Sequence, residues 1–286
     1  MPRSKRFDRY NPFFLTLLSF FFLSWCLTSP AYSNELDRFA GKQGNITISG
    51  GTAHIPVMTE LARKVRDFNP KIYITVHGGG SANGIKQVGQ GMADIGNSGR
   101  PLNDHERQQY NLREIPFAID GIAPIVHPSN PVSNISSASI RKIFSGEITN
   151  WREIGGEDQP IILYGREAAS GTRDIFWKKM LLNGSFSPET RIVDSNNAMK
   201  IVVSWEKYAI GYLSIGHIDM DKVKPLITDD IQPNQTNAML GKYTIVRKLY
   251  MNISENPTEL TRLFVEYVLG PAGHDAIKAS GYIPLH

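Results

Sequence analysis

Three short runs of Gly, Ser and Thr hold the residues of this chain best suited to chemistry. They are Ser49-Gly50-Gly51-Thr52-Ala53, Gly78-Gly79-Gly80-Ser81-Ala82-Asn83-Gly84 and Ala168-Ala169-Ser170-Gly171-Thr172. Each falls where a strand-like segment gives way to a helix-like one. A strand-to-helix turn presents unpaired backbone N–H groups and the positive end of the helix dipole, which together favour an anion. Glycine lets an oxyanion approach the backbone, and hydroxyls add donors that suit a tetrahedral ligand. Taken singly, each turn is ordinary cap chemistry, because Ser and Thr are common N-caps. Three of one kind point to convergence on a single anion.

The elements that must position these turns are legible from periodicity. Ile46-Thr47-Ile48 forms a short strand, and Val57, Met58, Leu61, Ala62, Val65 and Phe68 recur at helical spacing until Asn69-Pro70 ends the helix. The β-branched run 72–76 leads into the second turn, a short helix follows over 85–89, and 93–96 is a further strand. This β-α-β-α-β rhythm predicts a parallel sheet with helices on its faces. Segment 115–126 reads as a long strand leaving one lobe for another. In the second lobe a helix is expected over 139–144, a strand over 161–164, a helix over 171–182 and another over 196–205, then a strand over 209–213. Segment 242–250 reads as the return crossing, and helices over 257–269 and 271–280 close the chain. The expected fold is α/β, with two lobes, two hinge crossings and a ligand cleft between the lobes. The first lobe would comprise 34–122 and 242–286, and the second 123–241. Hinge closure would bring the turns of both lobes around one solute.

The first 33 residues stand apart. Arg3, Lys5, Arg6 and Arg9 form a basic head, 12–29 carries no charge, and Ala31-Tyr32-Ser33 offers a small-x-small cleavage signal. That is the layout of a secretory signal peptide, so a periplasmic or secreted protein is expected. A retained anchor is the rival reading, since a spanning helix needs about 17–20 apolar residues. The chain's 31 basic and 27 acidic residues give a net charge of +4. The leader holds four of the former and one of the latter, so the remainder is almost neutral. No basic stripe with interleaved aromatics occurs elsewhere, and no nucleic-acid partner is expected. The only cysteine, Cys26, lies in the leader. Leu23-Ser24-Trp25-Cys26 is a poor lipoprotein acylation box, because Trp25 stands where Gly or Ala is wanted. Without that cysteine there is no disulfide framework, thiolate metal site or thiol nucleophile.

At the glycine turns and in four further segments the chain resembles the phosphate-binding proteins of high-affinity phosphate ABC transporters, which have a type II periplasmic-binding-protein fold. The matching segments are Gly50-Gly51-Thr52-Ala53, Gly78-Gly79-Gly80-Ser81, Ala93-Asp94-Ile95-Gly96-Asn97-Ser98 and Asp120-Gly121-Ile122-Ala123, followed by Ile143-Phe144-Ser145-Gly146 with Ile148-Thr149-Asn150-Trp151, and Ser170-Gly171-Thr172-Arg173. They lie in order over nearly the whole chain beyond the leader. The resemblance implies that Thr52, Ala53, Ser81, Arg166, Ser170, Gly171 and Thr172 hold inorganic phosphate, with Arg166 as the cationic contact. Ser98, Gly99, Arg100 and Asp120 form a second tier of candidates. It also implies a membrane ABC permease as partner, a monomer, no cofactor and no enzymatic activity.

Two positions depart from that pattern. Gly99 and Ala168 stand where the resemblance leads one to expect acids, and such acids accept the proton of a protonated anion. Their loss removes the means of choosing phosphate over sulfate unless Glu167, Asp120 or another acid substitutes. It is also expected to leave Arg166 without a close counter-charge, biasing the site toward doubly charged anions. Affinity should accordingly rise from about pH 6 to 8, as phosphate loses its second proton. The alternatives are a receptor for another tetrahedral oxyanion such as sulfate, a secreted anion-sensing or adhesion protein, and a secreted serine hydrolase acting on phosphate esters through Ser98 or Ser170. Gly96-Asn97-Ser98-Gly99-Arg100 misses the G-x-S-x-G elbow by one glycine. Neither a G-x-G-x-x-G nor a G-x-x-x-x-G-K-[ST] loop occurs, and the seven histidines show no metal spacing.

Overall fold

The computed structural model describes residues 34–285, so the expected leader and its Cys26 lie outside the described residues. The chain opens with strand β1 (Gly44–Gly50), helix α1 (Ile55–Phe68), β2 (Ile72–Gly79), α2 (Ser81–Gly89), β3 (Ile95–Ser98) and α3 (Asp104–Gln109). The long strand β4 (Leu112–Val126) then leads into β5 (Asn134–Ile135), α4 (Ser137–Ser145), β6 (Ile162–Arg166) and α5 (Gly171–Ile175). After these come β7 (Arg191–Val193), α6 (Asn196–Trp205), β8 (Ala209–Ser214), β9 (Lys224–Pro225), β10 (Ile227–Thr228) and α7 (Gln235–Met239). Strand β11 (Val246–Ser254), α8 (Glu259–Leu269), α9 (Pro271–Ala279) and β12 (Ile283–Pro284) complete it. This is the α/β alternation expected from the residues, in the type II arrangement that the resemblance implies.

One sheet in the order β2-β1-β3-β11-β4-β8-β6-β7 runs through the body. β1 lies parallel to both β2 and β3, and β6 lies parallel to both β7 and β8. The antiparallel strands sit in the middle. β4 pairs with β11 from Leu112 to Gly121 and with β8 from Ile122 onward, so a single strand links the two halves of the sheet. Its change of partner falls at Gly121/Ile122. One core forms where α1, α8 and α9 cover the first half, around Ile46, Val57, Leu61, Phe117, Leu249 and Phe264. A second lies around Ile122, Ile143, Phe144, Trp151, Phe176 and Tyr212, with Phe176 stacked on Tyr212 at 4.0 Å between ring centroids.

Most local signals act as the residues suggest. In α1 the buried side chains are Val57, Met58, Leu61, Ala62 and Val65, with Pro56 in the first turn, where its missing N–H costs nothing. Asn69 ends the helix and donates its Nδ2 to the carbonyls of Phe39 and Lys42, both at 2.8 Å. Two boundaries differ from expectation. The helix predicted over 171–182 is α-helical only to Ile175 and widens into a π-helical turn over Phe176–Met180. The return strand begins at Val246 rather than 242, because Tyr243 and Ile245 pack into the second core instead of joining the ladder.

The turn after β1 and the start of α2 meet with no room for a side chain. A Cβ on Gly84 would stand 2.7 Å from Gly50 Cα and 2.7 Å from Ser49 O. Gly84 lies in a helix, where alanine is favoured by about 1 kcal/mol. Overpacking against backbone costs about 1–3 kcal/mol and outweighs that gain. Gly84→Ala should therefore lower the free energy of unfolding by up to about 2 kcal/mol, read from the midpoint of a urea titration; a raised midpoint would refute the packing account.

Candidate functional site

The three turns meet. A small cavity is lined from one side by Gly51, Thr52, Ala53, Gly80 and Ser81 and from the other by Arg166, Ser170, Gly171 and Thr172, with His54, Gly99 and Arg247 between them. All the first-tier candidates thus line one space, although 29 residues separate Thr52 from Ser81 and more than a hundred separate Thr52 from Ser170. Gly80 allows the close approach of the two sides. It has φ +87°, and a Cβ there would lie 2.7 Å from Ala169 O. The Ala82 N–H donates to that same carbonyl at 3.2 Å.

Each hydroxyl is held by a backbone or side-chain donor. Thr52 Oγ1 accepts from Asn196 N–H at 3.3 Å and from Asn196 Nδ2 at 3.1 Å. Ser81 Oγ accepts from the Gly99 N–H at 2.9 Å. Ser170 caps α5, accepting from the Arg173 N–H at 3.2 Å. These bonds fix hydroxyl positions that three mobile turns alone would leave free.

Arg166, 1% exposed, extends from the end of β6. Its Nε and Nη2 donate to Glu167 Oε2 and Oε1, both at 2.9 Å, and Nη2 also donates to Asp194 O at 3.0 Å. Nη1 is buried and has no protein partner. The expectation that Arg166 lacks a close counter-charge is therefore corrected: Glu167, its neighbour in sequence, grips the opposite edge of the guanidinium. This is possible because the chain bends into the third turn directly after β6, which folds the Glu167 side chain back alongside Arg166.

Sequence reasoning missed Arg247. This β11 residue is 6% exposed and donates Nε and Nη2 to Asp120 Oδ2 at 2.9 and 2.8 Å. Its Nη2 also donates to Thr172 Oγ1 at 3.0 Å. Burial pushes the Asp120 carboxyl up, and Arg247 together with the Ser214 hydroxyl, 2.8 Å away, opposes that shift. Asp120 does not line the cavity; it holds Arg247 there. Ser214 in turn contacts Tyr282 Oη at 3.1 Å, and Tyr282 donates to Ala53 O at 2.7 Å. Asn196 and His217, also unforeseen, secure Thr52, and His217 Nε2 donates to Thr52 O at 3.2 Å. No spacing rule links 120, 196, 217 and 247 to the glycine turns.

The remaining second-tier candidates have different places. Gly99 lines the cavity. Ser98 Oγ donates to Arg100 O at 2.5 Å and accepts from Asn252 Nδ2 at 3.2 Å, a turn-forming role. Arg100 is engaged by both oxygens of Glu106 at 2.7 Å and does not line the cavity.

A model of the PBP superfamily domain matches residues 39–272. The phosphate-binding protein PstS of Bacillus subtilis is 35% identical over 246 residues, which is 85% of this chain and 81% of that protein. The chain belongs to the PstS family. Among solved structures, a Clostridium perfringens protein with bound phosphate superposes with a TM-score of 0.80 at 32% identity, covering 85% of this chain and 100% of that one. An ABC-type phosphate transport receptor from Vibrio cholerae gives a TM-score of 0.67 at 35% identity over 83% and 99% of the two chains. PstS proteins are binding proteins and not enzymes, and neither the Ser98 nor the Ser170 hydroxyl hydrogen-bonds a histidine among the described residues that could act as its base.

Two histidines tie this site to stability. Burial, reinforced by Arg247, pushes His54 down to about 3, and burial together with Lys200 pushes His217 down to about 4. Both stay neutral when folded but take up protons when unfolded, near pH 6.5. Their contribution is therefore complete above that value and is lost as pH falls toward 4. Each should add a slope of about 1.4 kcal/mol per pH unit within the window. Chemical denaturation from pH 7 to 5 should show falling stability, and His217→Gln should make the slope shallower; equal slopes in the two proteins would refute the assignment.

Proposed function

We propose that this chain captures inorganic phosphate between its two lobes and presents it to a membrane ABC permease, acting as a monomer outside the cytoplasm. The lobes are taken as 34–122 with 242–286, and 123–241, joined by β4 and the segment entering β11. Thr52, Ala53, Ser81, Arg166, Ser170, Gly171 and Thr172 are the proposed contacts. One observation carries this reading: the buried Nη1 of Arg166 has no protein partner and belongs to a residue lining the cavity where all three turns converge. A buried cationic donor without a partner is costly, and an oxyanion oxygen removes that cost. Family membership and the phosphate named for the Bacillus subtilis and Clostridium perfringens proteins support the choice of anion.

The binding needs no chemistry. Hydrogen bonds to a charged acceptor are worth about 1.5–3 kcal/mol each, so several in a dry cleft suffice for tight capture. Contacts between the two sides, such as Asn196 to Thr52 and Ala82 to Ala169, already favour closure. A ligand that bonds both sides shifts the opening equilibrium by its preference for the closed form. No helix among the described residues is long and apolar enough to cross a membrane. The export and delivery steps of the proposal rest instead on the leader pattern and on the family.

Titration calorimetry of the purified chain with inorganic phosphate tests the proposal. Wild type should bind one phosphate per chain, and Arg166→Met should lose about tenfold to a hundredfold in affinity, the worth of one charged hydrogen bond. Wild type that takes up no phosphate, or Arg166→Met that binds as well as wild type, would refute it.

A further inference from the structure

The hydroxyls around the cavity share a property that their residue types do not dictate. Every one of the oxygens already accepts an N–H from the protein: Thr52 from Asn196, Ser81 from Gly99, Ser170 from Arg173 and Thr172 from Arg247. A hydroxyl has one proton and two lone pairs. When the protein supplies a donor to the oxygen, the proton is what remains to be offered elsewhere. Thr52, which holds two donors from Asn196, can act toward a ligand only as a donor.

The charges follow the same pattern. Arg166 and Arg247 both line the cavity, and no carboxylate does so among the described residues. Glu167 and Asp120 bind edges of the two guanidiniums instead. Position 99 explains how the second arginine fits. A Cβ there would lie 2.8 Å from Arg247 Cζ, so the guanidinium occupies the volume that a side chain at 99 would need. Arg247 cannot simply swing aside, because Asp120 and Thr172 hold it. His54 also lines the cavity, but its ring packs against Phe117 and its Nδ1 donates to Gly51 O at 3.1 Å.

We propose that the cleft is a cradle of donors in which Arg247 is a second cationic contact, so that it selects by charge and takes doubly charged tetrahedral oxyanions, sulfate as well as the phosphate dianion. The proposal rests on the reading that this cavity binds a tetrahedral oxyanion. Each proton added to the ligand turns an acceptor into a donor that faces another donor, and it removes charge from the two guanidiniums. Arg247 has Asp120, Arg166, His54 and His217 on the cavity side and Arg100, Lys179, Lys248 and Tyr250 on the other, with Glu167 behind Arg166 and Tyr243 and Tyr282 beside Asp120. Burial keeps both histidines neutral above pH 6 and pushes both tyrosines up, so between pH 6 and 8 the ligand is the group expected to change.

The test is calorimetry of the full chain with inorganic phosphate at pH 6 and pH 8, with sulfate as competitor. Phosphate should bind several-fold tighter at pH 8, and sulfate should displace it. Arg247→Gln leaves Asp120 buried without its partner, so the pair Asp120→Asn/Arg247→Gln is measured beside it, with circular dichroism to check folding. Whichever variant folds should lose tenfold or more in phosphate affinity at pH 8 and show a smaller gain from pH 6 to 8. If neither folds, the wild-type pH and sulfate results decide. The inference is overturned if wild type binds phosphate equally well at both pH values or better at pH 6, if sulfate fails to compete, or if a folded variant matches wild type. Absence of phosphate binding at both pH values, with sulfate bound, would overturn the phosphate reading and leave the cradle of donors standing.

Discussion

The buried pair between Asp120 and Arg247 is the interaction on which the rest of this structure depends. It joins the two central antiparallel strands where β4 is about to change partners, and it carries one guanidinium to Thr172 on the far side of the cleft. Taking both charges out of water costs several kcal/mol each, and their attraction offsets that only with good geometry and further hydrogen bonds. Both conditions are met, because Asp120 also accepts from Ser214 and Arg247 also donates to Thr172. An apolar pair of similar volume often stabilises a buried position at least as well. A charged pair at this position makes sense where the crossing strands must also carry a charge to the cavity.

Around that pair the site is built by close backbone approach. Gly50, Gly80 and Gly84 let one turn reach the next, and the bonds from Asn196 and His217 to Thr52 tie the first turn to the opposite side. Preorganisation of this kind limits the entropy lost when a small ion is bound, since donors already stand in place. The same crowding keeps the cavity small, on the scale of an ion of a few atoms.

The legible and illegible parts of the site divide along a physical line. Thr52, Ser81, Ser170, Gly171 and Thr172 were recognisable because anion-binding turns combine flexible backbone, hydroxyls and a helix start within five to seven residues. That signal is local, and so it survives in a sequence. Arg247 sits in a strand whose neighbours alternate between core and surface, where an arginine ordinarily reads as a solvated charge. Its burial follows from Asp120, 127 residues away. Glu167 was visible next to Arg166, but the bidentate contact depends on how the chain bends after β6. Arg100 was a second-tier candidate for the cleft and is instead bound by Glu106, six residues on.

What the residues determined by themselves is the α/β alternation, the long crossing strand, the three anion-type turns and the kinship that they signal. Periodicity and turn chemistry act over a few residues, so they are written in the chain directly. The tertiary structure alone decided which charges face the cleft, which carboxylates hold them, and that the hydroxyl oxygens are already occupied by protein donors. Those features arise from pairings between residues far apart in sequence, and the energy of burying a charge depends on partners that only folding brings within reach.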